Sequence, residues 1–435
     1  MKKILLGTTT LIGAVTLLAG SAFAETPKVT VGGYANFEAG YMNDDERGTG
    51  TAGHTTATGT AAHQRPQAFR SDTQVDFKID GKNDAGLGYG GEIDLLADTS
   101  TDLQNRGFNA SKTFIYTDGG WGRFELGSNV GADGTMKVDA GTIARATGGI
   151  NGDWTYFANA STQYLSMASL PLAYGAIGSQ VAMNGAAATN NLLGDHSEEN
   201  LSKITYYTPR FYGLQFGVSY LPDEENRGQG RGGAVGVIPN PLGPDRTNGT
   251  GGLSQNIWTG GVNYDNKFGD VGFTVAATGE WGDAQVQNTA VKYENLAAWN
   301  AGAKLSYMGW SLAGSYGDWG KSNTLALAKS RDTWYWDIGA AYEYGPFGAS
   351  VTYLNSQFDC GTVATGALGT TADCGTAGAG GVGKNKFYSV SGGLDYKLAP
   401  GLTPYAEFTY YDQNAAVAVN DNRGYVGIVG TQLNF

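Results

Sequence analysis

The chain has 435 residues with a formal net charge of −12, and it combines 69 glycines with 25 tyrosines, 17 phenylalanines and 9 tryptophans. This aromatic content argues against disorder, and the acidic balance argues against a nucleic-acid partner. Two cysteines are too few for a disulfide scaffold. Beyond residue 24 no apolar run reaches the roughly 20 residues of a membrane helix. These exclusions, together with the high content of glycine and aromatic residues, favour a fold of many strands separated by many turns.

The first 24 residues have the pattern of a secretory signal peptide. Lys2 and Lys3 supply the positive start, an apolar stretch follows over 4–18, and Ala22-Phe23-Ala24 is a small-residue cleavage site. We therefore predict that residues 1–24 are removed on export and that 25–435 form a single domain.

From residue 28 onward, apolar and polar residues alternate with a period of two, which is typical of strands with two different faces. In 74–80, for example, Val75, Phe77 and Ile79 alternate with Asp76 and Lys78. The pattern recurs sixteen times, and the predicted strands cover 28–41, 69–81, 86–98, 109–117, 121–128, 200–208, 211–220, 255–264, 270–282, 294–307, 309–318, 332–344, 347–358, 386–398, 402–412 and 423–435.

The connections between these strands alternate between short and long. Charges within the strands fall almost entirely on one face, although Lys112, Lys386 and Arg423 fall on the apolar face near loop ends. A Lys or Arg that faces lipid at mid-bilayer costs about 2–4 kcal/mol, so the apolar face suits lipid and the charged face suits water. The sequence therefore predicts an all-β fold: a 16-stranded antiparallel transmembrane β-barrel with short periplasmic turns and long extracellular loops.

Several segments together carry a family resemblance. They are the opening strand at 29–34, the stretch 121–127 before a long loop, the stretch 208–220, and the C-terminal Gln432-Leu433-Asn434-Phe435. With them the chain resembles the general porins of the Gram-negative outer membrane, most of all those of alphaproteobacteria. The resemblance implies a homotrimer that passes small hydrophilic solutes, and it implies that Phe435 resembles the signal read by the outer-membrane assembly machinery.

The same resemblance implies that the third long loop, 129–199, folds inward and narrows the pore. In such porins, acids on this loop face basic residues on the barrel wall. The corresponding acids here are Asp133, Asp139 and Asp153, and the wall candidates are Arg70, Lys78 and Arg123.

The predicted inner face carries more acids than bases. We place twelve acids there (Glu38, Asp72, Asp76, Asp80, Glu92, Asp94, Glu125, Glu280, Asp337, Glu343, Asp395 and Glu407) against seven bases (Lys28, Arg70, Lys78, Arg123, Lys203, Lys304 and Lys397). Since an acidic lumen raises the local concentration of cations, the sequence predicts a mild cation preference.

No other chemistry competes with this interpretation. The three histidines fall far apart in predicted loops, which does not suit a metal site or a catalytic group, so we expect neither an enzyme nor a resident cofactor. Cys360 and Cys374 fall in one loop of an exported protein, and we expect a disulfide between them. The loop acids at 44–46 and 223–225 could hold Ca²⁺ or Mg²⁺ that bridges lipopolysaccharide, although solvated loop charge is the simpler interpretation.

Two alternatives to a general diffusion channel stay open at this point. A substrate-selective channel, for instance for sugars, would need a ladder of inward aromatic residues, and Tyr34 and Tyr405 are too few to argue for one. A barrel with a mainly structural or adhesive role at the cell surface would carry no current.

Overall fold

Sixteen strands form the barrel and two short strands form a separate hairpin in the computed structural model, which describes residues 26–45, 66–97, 109–158, 201–223, 254–284, 294–322, 333–360, 362–365, 369–372, 383–414 and 422–435. In chain order the strands are β1 Lys28–Asp44, β2 Gln67–Lys82, β3 Gly88–Leu96, β4 Asn109–Gly119, β5 Gly122–Ser128, β6 Ser202–Tyr207, β7 Leu214–Asp223, β8 Ser254–Phe268, β9 Val271–Ala284, β10 Leu296–Tyr307, β11 Trp310–Gly320, β12 Thr333–Tyr344, β13 Phe347–Cys360, β14 Thr362–Thr365, β15 Gly369–Ala372, β16 Gly383–Tyr396, β17 Leu402–Asn414 and β18 Asn422–Asn434.

Antiparallel pairing runs around the whole barrel and closes between the first and last strands. In this seam Glu38 lies opposite Gly430, and the backbone amide of Phe435 donates to the carbonyl of Gly33 at 3.1 Å. Each of the sixteen predicted strands overlaps one barrel strand, so the predicted all-β, 16-stranded antiparallel barrel is confirmed. The β14–β15 hairpin, within the predicted loop 359–385, was not foreseen.

The outer face of the barrel is apolar and aromatic. Near the short turns it carries the ring pairs Trp310–Tyr342 and Phe347–Tyr396, and near the opposite end it carries Trp299–Tyr316 and Tyr41–Tyr425. Amphipathic rings at both rims, with aliphatic side chains such as Ile338 exposed between them, are the pattern of a barrel in a bilayer.

Lys112 lies on the opposite face of its strand from the one predicted. The Lys112 ammonium is 3.3 Å from the Asp94 carboxylate, and Phe114 on the same parity of β4 is buried, whereas Ile115 is 61% exposed. Lys112 therefore faces the lumen, and its assignment to the apolar face was wrong. The inward rings Phe114 and Tyr116 made this parity of the strand look apolar in the sequence.

The segment 132–157 after β5 turns into the barrel, as predicted for the start of the third loop. It contains two short helices, α1 Ala132–Met136 and α2 Trp154–Phe157, and two 3-10 turns, Ala140–Ile143 and Gly149–Asn151. α1 packs on β6–β9, the 3-10 turns pack on β11–β13 and β16, and α2 packs on β17, β18 and β1. A segment this short reaches strands on opposite sides of a closed barrel only through its interior.

α2 supplies one of the largest buried side chains among the described residues. Trp154 is fully buried and stacks on Phe387 of β16 and Tyr411 of β17, while its indole nitrogen donates to the Gly149 carbonyl at 2.8 Å. Part of the lumen at this level is therefore occupied by a hydrophobic cluster that belongs to the wall and the segment.

Glycines on the inner face make room for the segment. A Cβ atom at Gly302 of β10 would collide with the Val138 carbonyl, and one at Gly40 of β1 would collide with the ring of Phe157. In the same way, a Cβ atom at Gly217 would collide with the Met136 side chain, and one at Gly393 would collide with the Arg145 carbonyl. The close approach of the segment thus depends on missing side chains in the wall.

We expect Gly302→Ala to destabilise the protein by roughly 1–3 kcal/mol, because the added methyl group meets a backbone carbonyl that cannot rotate away. Gly427→Ala is the matched control, since a Cβ at Gly427 on the outer face of β18 has no atom within 4 Å. Equilibrium unfolding in denaturant, followed by tryptophan fluorescence in lipid vesicles, measures both. Equal stability of the two variants would contradict the close packing of segment and wall.

Candidate pore constriction

Arg70 of β2 is the centre of an ionic cluster inside the barrel. Its guanidinium lies 3.3 Å from Glu38, 2.9 Å from Asp72 and 3.2 Å from Asp153, measured between nitrogen and oxygen. The strand register produces the first contact, because Arg70 lies directly opposite Glu38 in the β1–β2 ladder. Tyr405 of β17 donates to Glu38 at 2.9 Å and leaves that carboxylate fully buried.

The inward segment is attached to this cluster by two of its residues. Asp153 pairs with Arg70, and the Arg70 guanidinium lies 3.8 Å above the ring of Tyr156, which is a cation–π contact. The predicted loop acid and the predicted wall base are therefore in direct contact rather than facing each other across open water. Three acids around one base leave this cluster with a net negative formal charge.

The other two loop acids are buried. Asp139 accepts a hydrogen bond from the Thr142 amide at 3.0 Å as the cap of a 3-10 turn, and its carboxylate is 3.0 Å from the Lys137 ammonium. Asp133 lies in α1, which packs against β6–β9. Neither carboxylate is open to the lumen water, with exposed fractions of 4% for Asp133 and 1% for Asp139. Their role in a constriction remains a prediction.

The other two wall bases lie at a different level of the barrel. Lys78 is eight residues from Arg70 on β2, which separates them by about 26 Å along the strand. Lys78 lies 3.8 Å from Glu92, and Arg123 lies 2.7 Å from Glu125 with its guanidinium over the ring of Tyr116. Lys78 and Arg123 thus belong to the short-turn end of the lumen, and the three predicted bases do not form one cluster.

One base on the inward segment was not assigned to the site by sequence reasoning. Arg145 lies against two wall acids, Glu343 of β12 and Asp395 of β16, and its backbone amide donates to Ser350 of β13 at 2.8 Å. The resemblance predicts acids on the loop that face bases on the wall. Arg145 adds the opposite arrangement, a base on the segment that contacts two acids of the wall. The sequence offered no signal for it, since Arg145 lies in a stretch without strand or long-helix periodicity.

The segment and neighbouring side chains cover many of the inner acids. Of the predicted lumen charges, Glu38, Asp94, Glu125, Glu280, Asp337 and Glu407 are buried, and among the bases Lys203 is buried. The rest are at least partly exposed: the acids Asp72, Asp76, Asp80, Glu92, Glu343 and Asp395, and the bases Lys28, Arg70, Lys78, Arg123, Lys304 and Lys397. The partly exposed members of the predicted set are thus six acids and six bases, although the whole predicted set has twelve acids and seven bases.

The remaining predictions concern the ends of the barrel. Asp44 accepts a hydrogen bond from Tyr411 at 2.9 Å and Asp45 pairs with Arg423 at 2.8 Å, while Glu46, Glu224 and Glu225 lie outside the described residues. No group of three potential metal ligands occurs within the described ranges. Cys360 ends β13, whereas Cys374 and the predicted signal peptide, 1–24, lie outside the description. Within the same ranges no helix is long and apolar enough to span a membrane.

A closed barrel of sixteen strands, with an aromatic outer face and a charged inner face crossed by an inward segment, defines a porin-type barrel of the outer membrane. The family model described as Gram-negative porin matches residues 8–416, so the chain belongs to that family. It is accordingly a protein of the outer membrane.

Individual relatives are distant. The uncharacterized protein RC0098 of Rickettsia conorii is 27% identical over 379 residues, which cover 78% of this chain and 79% of the relative. The anion-selective porin from Comamonas acidovorans has a TM-score of 0.53 at 15% identity and covers 94% of this chain and 100% of its own. The trimer form of OmpT from Vibrio cholerae has a TM-score of 0.53 at 10% identity, with the same coverage. These similarities to solved structures show the fold.

Asp153 gives the cluster around Arg70 a dependence on pH. Burial, followed by a hydrogen bond and charge repulsion from Glu38, raises the pKa of Asp153 to about 8. Because the folded state binds this proton more tightly than the unfolded chain does, protonated Asp153 contributes to the stability of the fold. This contribution is fully present below pH 3.8, the ordinary pKa of the group, and is lost as the pH rises to about 8.

If the barrel prefers cations, as the sequence predicts, we expect that preference to fall as the pH is lowered through about 8, because Asp153 gains a proton and the cluster loses negative charge. Asp153→Asn should remove this step and hold the preference at its low-pH value. Reversal potentials under a salt gradient, between about pH 6 and about pH 9, measure both proteins. A flat wild-type profile, or a step that survives in the variant, would contradict the assignment.

Proposed function

We propose that this porin forms a water-filled channel through which ions and small hydrophilic solutes diffuse passively, with a mild preference for cations and without enzymatic activity. The carrying observation is the sixteen-stranded barrel whose charged inner face is narrowed by the segment 132–157. A barrel of this strand number leaves an aqueous lumen. Selectivity then depends on the charges at the narrowest level.

The proposed cation preference is mild for a structural reason. With Lys112 included, the partly exposed charges of the inner face are nearly balanced, six acids against seven bases, so no strong field reaches a permeating ion from side chains in direct contact with water. The buried carboxylates still contribute a negative potential across short distances of low dielectric. The effect of this potential on an ion is weaker than the effect of a charge that the ion contacts directly, and salt screens it.

We further propose that the protein works as a homotrimer in contact with outer-membrane lipid and lipopolysaccharide. The similarity to the trimer form of OmpT supports the oligomeric state. Phe435 lies at the barrel seam and is 61% exposed, which supports its proposed role as the signal for the outer-membrane assembly machinery. No resident cofactor belongs to this proposal, and divalent cations at the loop rim remain a separate proposal.

In planar bilayers we expect steps of current in groups of three, with a reversal potential that favours cations at about 10 mM salt, where the Debye length is about 30 Å. At about 1 M salt the Debye length falls to about 3 Å, and the preference should nearly vanish. Conductance in a series of neutral sugars of increasing size serves as the control for a specific binding site.

The possible outcomes separate the alternatives. A potential that favours chloride would contradict the proposed selectivity, while block by a single sugar would indicate a substrate-selective channel. Absence of current from correctly folded protein would contradict the channel itself and favour a structural or adhesive role.

A further inference from the structure

Two buried wall carboxylates bind the backbone of the inward segment. Glu407 of β17 accepts hydrogen bonds from the amides of Thr147 and Gly149, each at 3.2 Å, and from the Thr147 hydroxyl at 2.8 Å. Both carboxylate oxygens are used, and the side chain is only 3% exposed. Three donors on one buried carboxylate form a strong, charge-assisted contact.

The second carboxylate repeats this arrangement on another strand. Asp337 of β12 accepts from the Ala140 amide at 2.7 Å and from the Ser315 hydroxyl of β11, and it is 3% exposed. Ala140 begins one 3-10 turn of the segment, and Gly149 begins the other. Each wall acid therefore satisfies amides that the short turns leave without an internal partner.

Together the two contacts fix a line along one side of the barrel wall. In the barrel β12 and β17 are separated by β13 and β16, a distance of roughly 14 Å between strand axes. Between these two points the Arg145 amide donates to Ser350 of β13. The part of the segment from Ala140 to Gly149 is thus tied to the wall at both ends and in between.

The Glu407 contact also continues to the centre of the constriction. The Thr147 hydroxyl donates to Glu407 and accepts from the Asp153 amide at 3.0 Å, and Asp153 pairs with Arg70. Movement of Thr147 would therefore change the position of the charges that a permeating ion meets.

We propose that Glu407 and Asp337 are positioning residues for permeation: they hold the part of the inward segment from Ala140 to Gly149 against one side of the barrel and so determine the size limit of the pore. This inference rests on the proposed channel function. Neither residue needs to contact the solute, since both act through the backbone of the segment.

The chemistry of the contacts predicts which substitutions release the segment. In Glu407→Gln the side chain becomes neutral, and an NH₂ group takes the place of one carboxylate oxygen, so the Thr147 hydroxyl has to accept from it instead of donating. In Asp337→Asn the Ser315 hydroxyl has to turn in the same way, and the Ala140 amide keeps only an uncharged acceptor. Because a hydrogen bond to a charged group is about twice as strong as a neutral one, we expect each change to shift the equilibrium by roughly fivefold to tenfold toward the released state.

The test compares Glu407→Gln and Asp337→Asn with Glu92→Gln, a partly exposed lumen acid that forms an ion pair with Lys78 at the short-turn end of the barrel. Each variant is reconstituted in lipid, and open-channel current noise and the permeation ratio of a large to a small neutral sugar are measured. We expect the first two variants to show increased noise and a changed sugar ratio. Glu92→Gln should change only the reversal potential.

Thr147→Val provides a second route to the same contact, because it removes the hydroxyl donor and leaves the wall charge in place. It should reproduce the noise of Glu407→Gln with little change in reversal potential, and it keeps the test decisive where Glu407→Gln fails to fold. The proposal would be overturned if the folded variants matched Glu92→Gln in current noise and sugar ratio. It would also be overturned if their only change were a lower thermal stability. Wild-type protein without current would instead contradict the channel function.

Discussion

Hydrogen-bond closure is the constraint on which this structure depends. In hydrocarbon an unpaired amide or carbonyl costs several kcal/mol, so a sheet in a membrane has to end where it began. The pairing of β1 with β18 meets this requirement, and it extends to the last residue, since Phe435 exchanges backbone hydrogen bonds with Gly33. With sixteen strands the circumference is set, and a lumen too wide for wall side chains to fill follows from it.

Closure also separates the two faces of every strand. Successive side chains point to lipid and to lumen, so the outer face can satisfy the bilayer with aromatic rings while the inner face evolves for a different purpose. That purpose here is to bind a segment of the same chain. Glycines such as Gly302 allow the backbones to approach, and the carboxylates of Asp337 and Glu407 satisfy the amides that short turns expose.

The period-two pattern made the strands predictable, because each strand has to alternate over its full length to lie between lipid and water. Lys112 was misplaced because Phe114 and Tyr116, which share its parity, face the lumen. The path of 132–157 was beyond pattern reasoning for another reason. Helices of four or five residues have no measurable periodicity, and contacts such as Thr147 with Glu407 join positions 260 residues apart.

The candidate site shows why a count of charges is a poor guide to a pore. The excess of acids in the sequence is real, but the residues that produce it, including Glu280 and Glu407, are covered by other parts of the chain. Asp139 and Asp153 differ in the same way, since one caps a buried turn and the other pairs with Arg70 beside the water. Because the docking of the segment decides which carboxylates stay exposed, in the proposed channel the same geometry would set both the size of the pore and its selectivity.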